Sequence, residues 1–117
     1  PQNRFCIEDR ASDLTQNPYL TFTLMSAAVT KGITENMQPP EATNKSLYDI
    51  TEEEGKKIKT LPRNLLEAID AFKADPLTKE VFSESMLKNF IGYKYDEWSR
   101  YHTTTTDWEI KEYLKLF

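Results

Sequence analysis

A helix that is apolar on nearly every side is the feature that most constrains this chain. Asn17 is a favoured N-cap residue, and Pro18 presets the backbone of a first helical turn. Apolar side chains occur all round the body, Tyr19 to Lys31, and Gly32 then favours a left-handed helix end. Such a helix needs burial on most sides. Because a domain of this size buries only about two-thirds of its extended-chain surface, we expect packing partners outside this sequence, which looks like a piece of a longer protein.

Capping patterns predict the remaining helices. Ser or Thr followed three residues later by Glu is a capping box, and Asn is a good N-cap. A proline after a helical stripe predicts the end of that helix. Together the sequence predicts four to five helices after one N-terminal strand, a mainly α chain. The predicted starts are Thr51-x-x-Glu54, Asn64-x-x-Glu67 (ending at Pro76), a helix over Ser83 to Tyr101, and Thr106-x-x-Glu109 with the apolar stripe Ile110, Tyr113, Leu114 and Phe117.

The first ten residues have the alternation of a β-strand. From Asn3 to Arg10, polar and charged side chains fall on one face, while Phe5 and Ile7 fall on the other with Asp9. A charged strand face fits either solvent or a polar cleft. Residues 11–16 have the composition of a turn, and residues 34–50, with Pro39 and Pro40, that of an extended loop.

Composition excludes several classes of protein. The net charge is −4, which argues against nucleic-acid binding because phosphate contacts need an excess of Lys and Arg. No apolar run approaches the roughly 18–20 residues that cross a bilayer, so we expect no membrane association. The single cysteine, Cys6, excludes an internal disulfide and suits a reducing, cytoplasmic compartment. The single histidine, His102, has no partner at ligand spacing and is predicted to lie at a helix end.

The Glu8-Asp9-Arg10 segment contains the candidate functional residues of the chain. On a strand, Glu8 and Arg10 point to the same side. A carboxylate is a hard oxygen ligand suited to Mg²⁺ or Mn²⁺, and a guanidinium binds a carboxylate or phosphate through two hydrogen bonds. Phosphoryl transfer needs that combination. The alternative is a surface strand with a local ion pair, which is worth about 0–1 kcal/mol.

Residues 8–33 resemble the C-terminal part of the catalytic domain of glutamine synthetase and related γ-glutamyl ligases. The resemblance rests on a Glu-x-Arg strand, a short turn, Asn17-Pro18-Tyr19-Leu20 and a small-residue helix ending in Gly-Ile. It continues through Leu47-Tyr48-Asp49-Ile50, Leu61-Pro62 and Thr106-Asp107-Trp108-Glu109, so it covers residues 1–117. The resemblance implies the C-terminal segment of an α+β catalytic domain built on an antiparallel sheet, whose N-terminal part is absent here.

The family resemblance also implies an activity. Its members form γ-glutamyl phosphate from glutamate and ATP, and ammonia or a small amine then displaces the phosphate. They use two divalent cations, Mg²⁺ or Mn²⁺, and assemble into ring-shaped homo-oligomers. The resemblance implies that Glu8 is a ligand of one cation and that Arg10 contacts the glutamate substrate. None of the residues in this chain is assigned a catalytic role beyond binding, and this piece alone is expected to be inactive.

Two positions depart from the pattern of well-known bacterial members. Those members carry a Lys and an Arg on the strand that contact ATP phosphates, and Asn3 and Cys6 stand at the corresponding positions. Arg4 shares the Cys6 face and is a possible substitute for the phosphate contact. Because these two positions differ, the sequence does not decide whether the acceptor is ammonia or a larger amine.

Tyr48 matches the position at which some bacterial members are adenylylated. The alternative is a tyrosine that packs its ring on the protein body and leaves its hydroxyl in water. For the whole chain the alternative to the ligase is a helical interaction module derived from the same family, which docks a partner through the apolar helix and has lost catalysis.

Overall fold

The computed structural model describes residues 6, 8–42, 44–46 and 48–116, and it divides into two compact units, Pro1–Leu61 and Pro62–Phe117. All regular structure in the described residues is helical. The first unit contains α1 (Pro18–Thr34) and α2 (Glu52–Gly55). The second contains α3 (Leu65–Ala74), α4 (Pro76–Val81), α5 (Glu84–His102), α6 (Asp107–Tyr113) and a 3₁₀ helix (Leu114–Leu116).

Helix α1 begins as predicted and ends later. The Asn17 side chain accepts hydrogen bonds from the backbone N–H groups of Tyr19 (3.0 Å) and Leu20 (3.4 Å). The predicted stop at Gly32 is wrong, because the helix continues to Thr34. Asn36 takes the left-handed conformation instead, with φ of 51°.

The end of α1 is a Schellman motif centred on Asn36. The backbone N–H of Met37 donates to the Gly32 carbonyl at 2.9 Å, and that of Asn36 donates to the Ile33 carbonyl at 3.3 Å. These bonds satisfy carbonyls that the last turn leaves without helical partners. Asparagine tolerates the left-handed region better than other non-glycine residues, so the end falls there rather than at Gly32.

The described chain leaves the apolar surface of α1 uncovered. None of its 17 residues is buried. Tyr19 is 82% exposed, Phe22 67% and Ile33 77%. Burial on most sides, which its composition demands, is therefore not provided by the residues that the structure describes.

The predicted N-terminal strand is not seen. Residues 6 and 8–10 have no regular secondary structure, and the other positions of the prediction lie outside the described residues. A strand is defined by the ladder of hydrogen bonds to a neighbour, and no strand occurs in the described part of the chain to supply one. Residues 11–16 form turns and bends, as predicted.

Helix α2 forms through the predicted capping box. The Thr51 backbone N–H donates to Glu54 Oε2 at 2.9 Å, and the Glu54 backbone N–H donates to Thr51 Oγ1 at 3.3 Å. Lys45 from the preceding loop lies 2.6 Å from Glu54 Oε1. This ion pair and the Thr51 contacts lower the pKa of Glu54, the Lys45 contact contributing most. The loop predicted over residues 34–50 begins later than predicted, because Thr34 still belongs to α1. The described residues between 38 and 50 are irregular.

Helix α3 has the predicted cap and the predicted end, but a helix that the sequence analysis missed follows it. Asn64 accepts from the Glu67 backbone N–H at 2.9 Å. Pro76 is the first residue of this helix, α4. The side chain of its N-cap residue, Asp75, accepts a hydrogen bond from the Leu77 backbone N–H at 2.8 Å. Proline is well suited to a first helical position, where its missing N–H has no function.

Helices α3, α4 and α5 enclose a small core. Ile69 is buried at 4% exposure, and the Phe72 ring lies 5.4 Å from that of Phe90 and 6.4 Å from that of Phe82. The buried hydroxyl of Thr78 donates to the Phe72 and Asp75 carbonyls. The buried hydroxyl of Thr78 is thereby hydrogen-bonded, as buried polar groups require.

Helix α5 spans almost the predicted range, but its aromatic series is only partly internal. The predicted stripe of Leu87, Ile91, Tyr95 and Trp98 is half-buried. Tyr93 is 61% exposed and Tyr101 69% exposed, so neither ring belongs to the core. By helical spacing Tyr101 lies on the flank of the stripe and Tyr93 on the opposite face of α5.

Helix α6 also has its predicted capping box, yet its apolar stripe is open. Thr106 and Glu109 exchange side-chain and backbone hydrogen bonds of 2.7 Å and 3.2 Å. Ile110 is 46% exposed and Leu114 74%, and Phe117 lies outside the described residues. No helix in the described ranges is long and apolar enough to cross a membrane.

Candidate substrate- and metal-binding residues

Glu8 and Arg10 lie side by side, as the spacing predicts. Arg10 Nε donates a hydrogen bond to Glu8 Oε1 at 2.7 Å. The Arg10 side chain is 84% exposed and the Glu8 side chain 69% exposed. The backbone that brings them together is irregular rather than a strand. An exposed ion pair of this kind is worth about 0–1 kcal/mol, so it contributes little to folding.

The loop after this pair is held by its own side chains. Asp9 accepts from the Ala11 backbone N–H at 2.9 Å and from the Ser12 hydroxyl at 3.2 Å. Asp13 Oδ1 accepts from the Thr15 backbone N–H at 2.7 Å. Such Asx turns give a short segment a defined path, here one that leads directly into the Asn17 cap of α1.

The donor set of the pair fits an oxygen-seeking cation only as one part of a site. Glu8 offers carboxylate oxygen, the ligand type that Mg²⁺ and Mn²⁺ prefer. Among the described residues there is no group of three or more acidic, histidine or cysteine side chains placed to hold a metal ion. Glu8 therefore fits the role of a single ligand, and further ligands would have to come from other polypeptide.

The guanidinium of Arg10 retains donors for a substrate. Only Nε is used in the contact with Glu8, and a guanidinium carries five N–H donors in a planar fork. The remaining edge can bind a carboxylate through two hydrogen bonds. Arg4, the predicted phosphate contact, lies outside the described residues, and the neighbouring Cys6 is an exposed free thiol.

Tyr48 stands clear of the chain around it. Its exposure is 99%, so its ring does not pack on the described protein body. Its backbone N–H donates to Ser46 Oγ at 3.3 Å, which fixes a turn at this point of the loop. The geometry leaves the phenolic hydroxyl open to another protein.

One ring pair of the second unit did not emerge from the sequence. Trp98 and His102 stack at 5.3 Å between ring centroids and 7° between ring planes. The signal was present in their spacing, because residues four apart lie on one side of a helix. His102 is the last residue of α5, as predicted.

Comparison with known proteins decides the family. The glutamine synthetase catalytic-domain model matches residues 1–113. The chain belongs to this family. The match includes Arg4, Glu8, Arg10 and Tyr48, so all four predicted positions lie inside the part of the chain that carries the glutamine synthetase pattern.

Individual glutamine synthetases are similar along almost the whole chain. The glutamine synthetase of Methanococcus maripaludis is 37% identical over 112 residues, which is 94% of this chain and 25% of the relative. Those of Methanocaldococcus jannaschii (37% over 110 residues, 92% and 24%) and Thermus thermophilus (35% over 112 residues, 94% and 25%) are similar to the same extent. The chain spans about a quarter of the length of the glutamine synthetases it matches.

Proposed function

We propose that this chain is part of an ATP-dependent glutamate–ammonia or glutamate–amine ligase that works through γ-glutamyl phosphate. The observation that carries the proposal is the family match over residues 1–113, which includes the contacting pair Glu8 and Arg10. The pair combines the two chemical functions that an anionic phosphorylated intermediate needs, a cation-binding oxygen and a bidentate anion donor.

In this proposal Arg10 positions the glutamate substrate. Its guanidinium exchanges the Glu8 contact for a substrate carboxylate, because both partners are exposed and their mutual attraction is weak. The γ-carboxylate oxygen of glutamate then attacks the terminal phosphorus of ATP, and ADP leaves. Ammonia or an amine next attacks the γ-carbon, and phosphate leaves. Holding the carboxylate in place is the contribution of Arg10 to the first step.

Glu8 is proposed to hold one of two divalent cations. Mg²⁺ or Mn²⁺, when bound, supplies positive charge that neutralises the phosphate oxygens during phosphoryl transfer. The hydrogen bond from Arg10 uses Oε1 of Glu8 and leaves Oε2 without a hydrogen bond to Arg10. Glu8 therefore keeps an oxygen for ligation while Arg10 is near, and it loses its ion-pair partner when Arg10 turns to the substrate.

The proposed parent protein supplies what these residues lack. Residues 3–10 would join an antiparallel sheet as its strand, and the remaining metal ligands and the nucleotide site would lie in polypeptide outside this chain. This chain alone is expected to be inactive. The parent is proposed to be a cytoplasmic ring-shaped homo-oligomer, with Arg4 as a further contact to ATP phosphate.

Regulation at Tyr48 is a separate part of the proposal. Its exposure of 99% supports access by a modifying enzyme, since residues on exposed loops are reachable. Mass spectrometry of the protein from its native host under nitrogen excess should show an AMP adduct on the peptide that contains Tyr48. An unmodified peptide at full coverage contradicts this assignment and leaves the ligase proposal intact.

The alternative of a non-catalytic interaction module is favoured by one observation. The apolar surface of α1 is exposed, with Tyr19 at 82% and Ile33 at 77%. An interaction module needs neither ATP nor glutamate nor a cation, and Glu8 has no chemical role in it. Activity of the complete gene product separates the two functions.

The test is phosphate release by the complete gene product. ATP, glutamate and each of ammonia, methylamine and a polyamine are supplied with and without Mg²⁺. The ligase proposal expects release that requires glutamate, one of the amines and the cation. Release that is absent with every amine, or that is independent of glutamate, contradicts the proposal and favours the module.

A further inference from the structure

A cleft of about 630 Å³ lies in the second unit, between the start of α3 and the end of α5. Two guanidinium groups and two aromatic rings line it, from Arg63, Arg100, Trp98 and Tyr101. Its lining residues all belong to the range 62–117, so it shares no residue with the Glu8 and Arg10 pair. The cleft has the size of a small-molecule site.

The charge in the cleft is positive although the chain as a whole is acidic. The backbone of Arg63 bonds to Glu67, but its guanidinium makes no hydrogen bond or ion pair with the described residues. The Arg100 guanidinium uses Nε for Asp96 at 2.8 Å, which leaves its terminal nitrogens available. Glu97, the acidic residue in the lining, is already paired with Lys94 at 2.7 Å.

The aromatic wall is assembled by α5 itself. The Trp98 ring lies 6.3 Å from that of Tyr101 and stacks on that of His102 at 5.3 Å. Trp98 is half-buried and Tyr101 is 69% exposed, so both keep ring surface open to solvent. Because these residues lie three and four positions apart on one helix, the wall exists before any ligand arrives. Flat ligands stack on such surfaces.

We propose that this cleft binds a small ligand in which a carboxylate or phosphate is attached to a flat ring. Arg63 and the free edge of Arg100 take the oxyanion through paired hydrogen bonds. Trp98 and Tyr101 take the flat ring. A polyanion such as nucleic acid is disfavoured because the chain carries a net charge of −4. The inference goes beyond the proposed ligase activity and does not depend on it.

The test follows the indole N–H resonance of Trp98 in the ¹⁵N-labelled complete gene product. The signal is assigned by its loss in the variant Trp98→Phe. Benzoate and phenyl phosphate are titrated in separate arms, which distinguish a carboxylate from a phosphate ligand. Cyclohexanecarboxylate retains the charge without the flat ring, and benzamide retains the ring without the charge. The proposal expects a saturable shift with benzoate or phenyl phosphate, at about tenfold lower concentration than with either control compound.

Two variants separate the cleft from general charge effects. Arg63→Gln should weaken binding by about tenfold, because it removes an unpaired guanidinium from the lining. Lys88→Gln removes an equal charge from an exposed position of α5 and should leave binding unchanged. Arg100→Lys, which keeps the charge but loses the fork, should also weaken binding. Helical circular dichroism confirms that each variant is folded.

Several results overturn the proposal. They are the absence of a saturable shift with both aromatic anions, a control compound that binds as tightly as the aromatic anions, and equal loss of affinity in Arg63→Gln and Lys88→Gln. Binding should survive Glu8→Gln in the same protein. Failure to bind the aromatic anions overturns the proposal even when ligase activity is present, so the two proposals fail independently.

Discussion

The Tyr95 hydroxyl donates a hydrogen bond to Asp70 Oδ1 at 2.7 Å, which links α5 to α3 between residues 25 positions apart. The bond to Asp70, followed by partial desolvation, raises the pKa of Tyr95 above its ordinary value of 10.0. The neutral phenol is therefore the form that the folded protein favours. A raised pKa of this kind stabilises the fold at every pH below the unfolded value and stops doing so as the pH rises through the folded value.

Tyr95→Phe should lower the thermal midpoint of the chain by a few degrees, since it removes this bond and leaves the ring. The difference from wild type should be constant below about pH 10 and vanish at higher pH. Tyr93→Phe is the matched control, because Tyr93 is an exposed tyrosine of the same helix. Equal midpoints for wild type and Tyr95→Phe at pH 7 would contradict the structural role.

Asn36 tests the assignment of the end of α1. Asn36→Ala keeps the β-carbon but removes the short polar side chain that lets asparagine tolerate the left-handed region at φ of 51°, and it should destabilise the first unit by about 1 kcal/mol. Asn36→Gly is the control, because glycine adopts this conformation freely. Urea unfolding followed by circular dichroism measures both. A loss in the Gly variant as large as that in the Ala variant argues against the Schellman motif.

Glu109 makes the start of α6 sensitive to acid. The Thr106 backbone N–H and then the Thr106 hydroxyl lower the pKa of Glu109 below its ordinary value of 4.5. A depressed pKa contributes stability that is present above about pH 4.5 and is lost as the pH falls through the folded value. The Thr106 amide resonance should therefore move upfield in that range in wild type. In Glu109→Gln, which retains an acceptor without a titrating proton, the shift should be absent.

Local helix signals were readable from the sequence because each depends on a few adjacent side chains. Asn17, Asn64 and the Thr51 and Thr106 boxes all cap helices as predicted. The errors have local causes too. Asn36 takes the left-handed conformation that was predicted for Gly32. The helix that was missed, α4, begins at Pro76 because this proline follows a capping aspartate.

Features that depend on distant partners were not readable in the same way. A strand over residues 3–10 needs a neighbouring strand, and the described chain has none to offer. The spacing of Glu8 and Arg10 predicted that their side chains lie side by side, and Arg10 Nε is 2.7 Å from Glu8 Oε1. Their proposed roles toward a cation and a substrate rest on the family resemblance and stay predictions. The cleft beside Trp98 was missed because its walls come from two helices, α3 and α5, whose register no sequence pattern gives.

Arg10→Lys tests the proposed contact with glutamate in the complete gene product. An ammonium cannot reproduce the two parallel hydrogen bonds of a guanidinium, so the apparent KM for glutamate should rise by about tenfold or more. The KM for ATP serves as the internal control and should stay close to the wild-type value. An unchanged KM for glutamate would remove Arg10 from the substrate site.

Glu8 is proposed to be a cation ligand, and Mn²⁺ binding to the complete gene product, followed by electron paramagnetic resonance, measures that role. Loss of a direct ligand should weaken one class of Mn²⁺ site in Glu8→Gln by more than the roughly 10–100-fold that outer contacts contribute. Glu53→Gln, which alters an exposed carboxylate of α2, should bind as wild type does. The same number of Mn²⁺ ions bound with the same affinity in wild type and Glu8→Gln would contradict the claim.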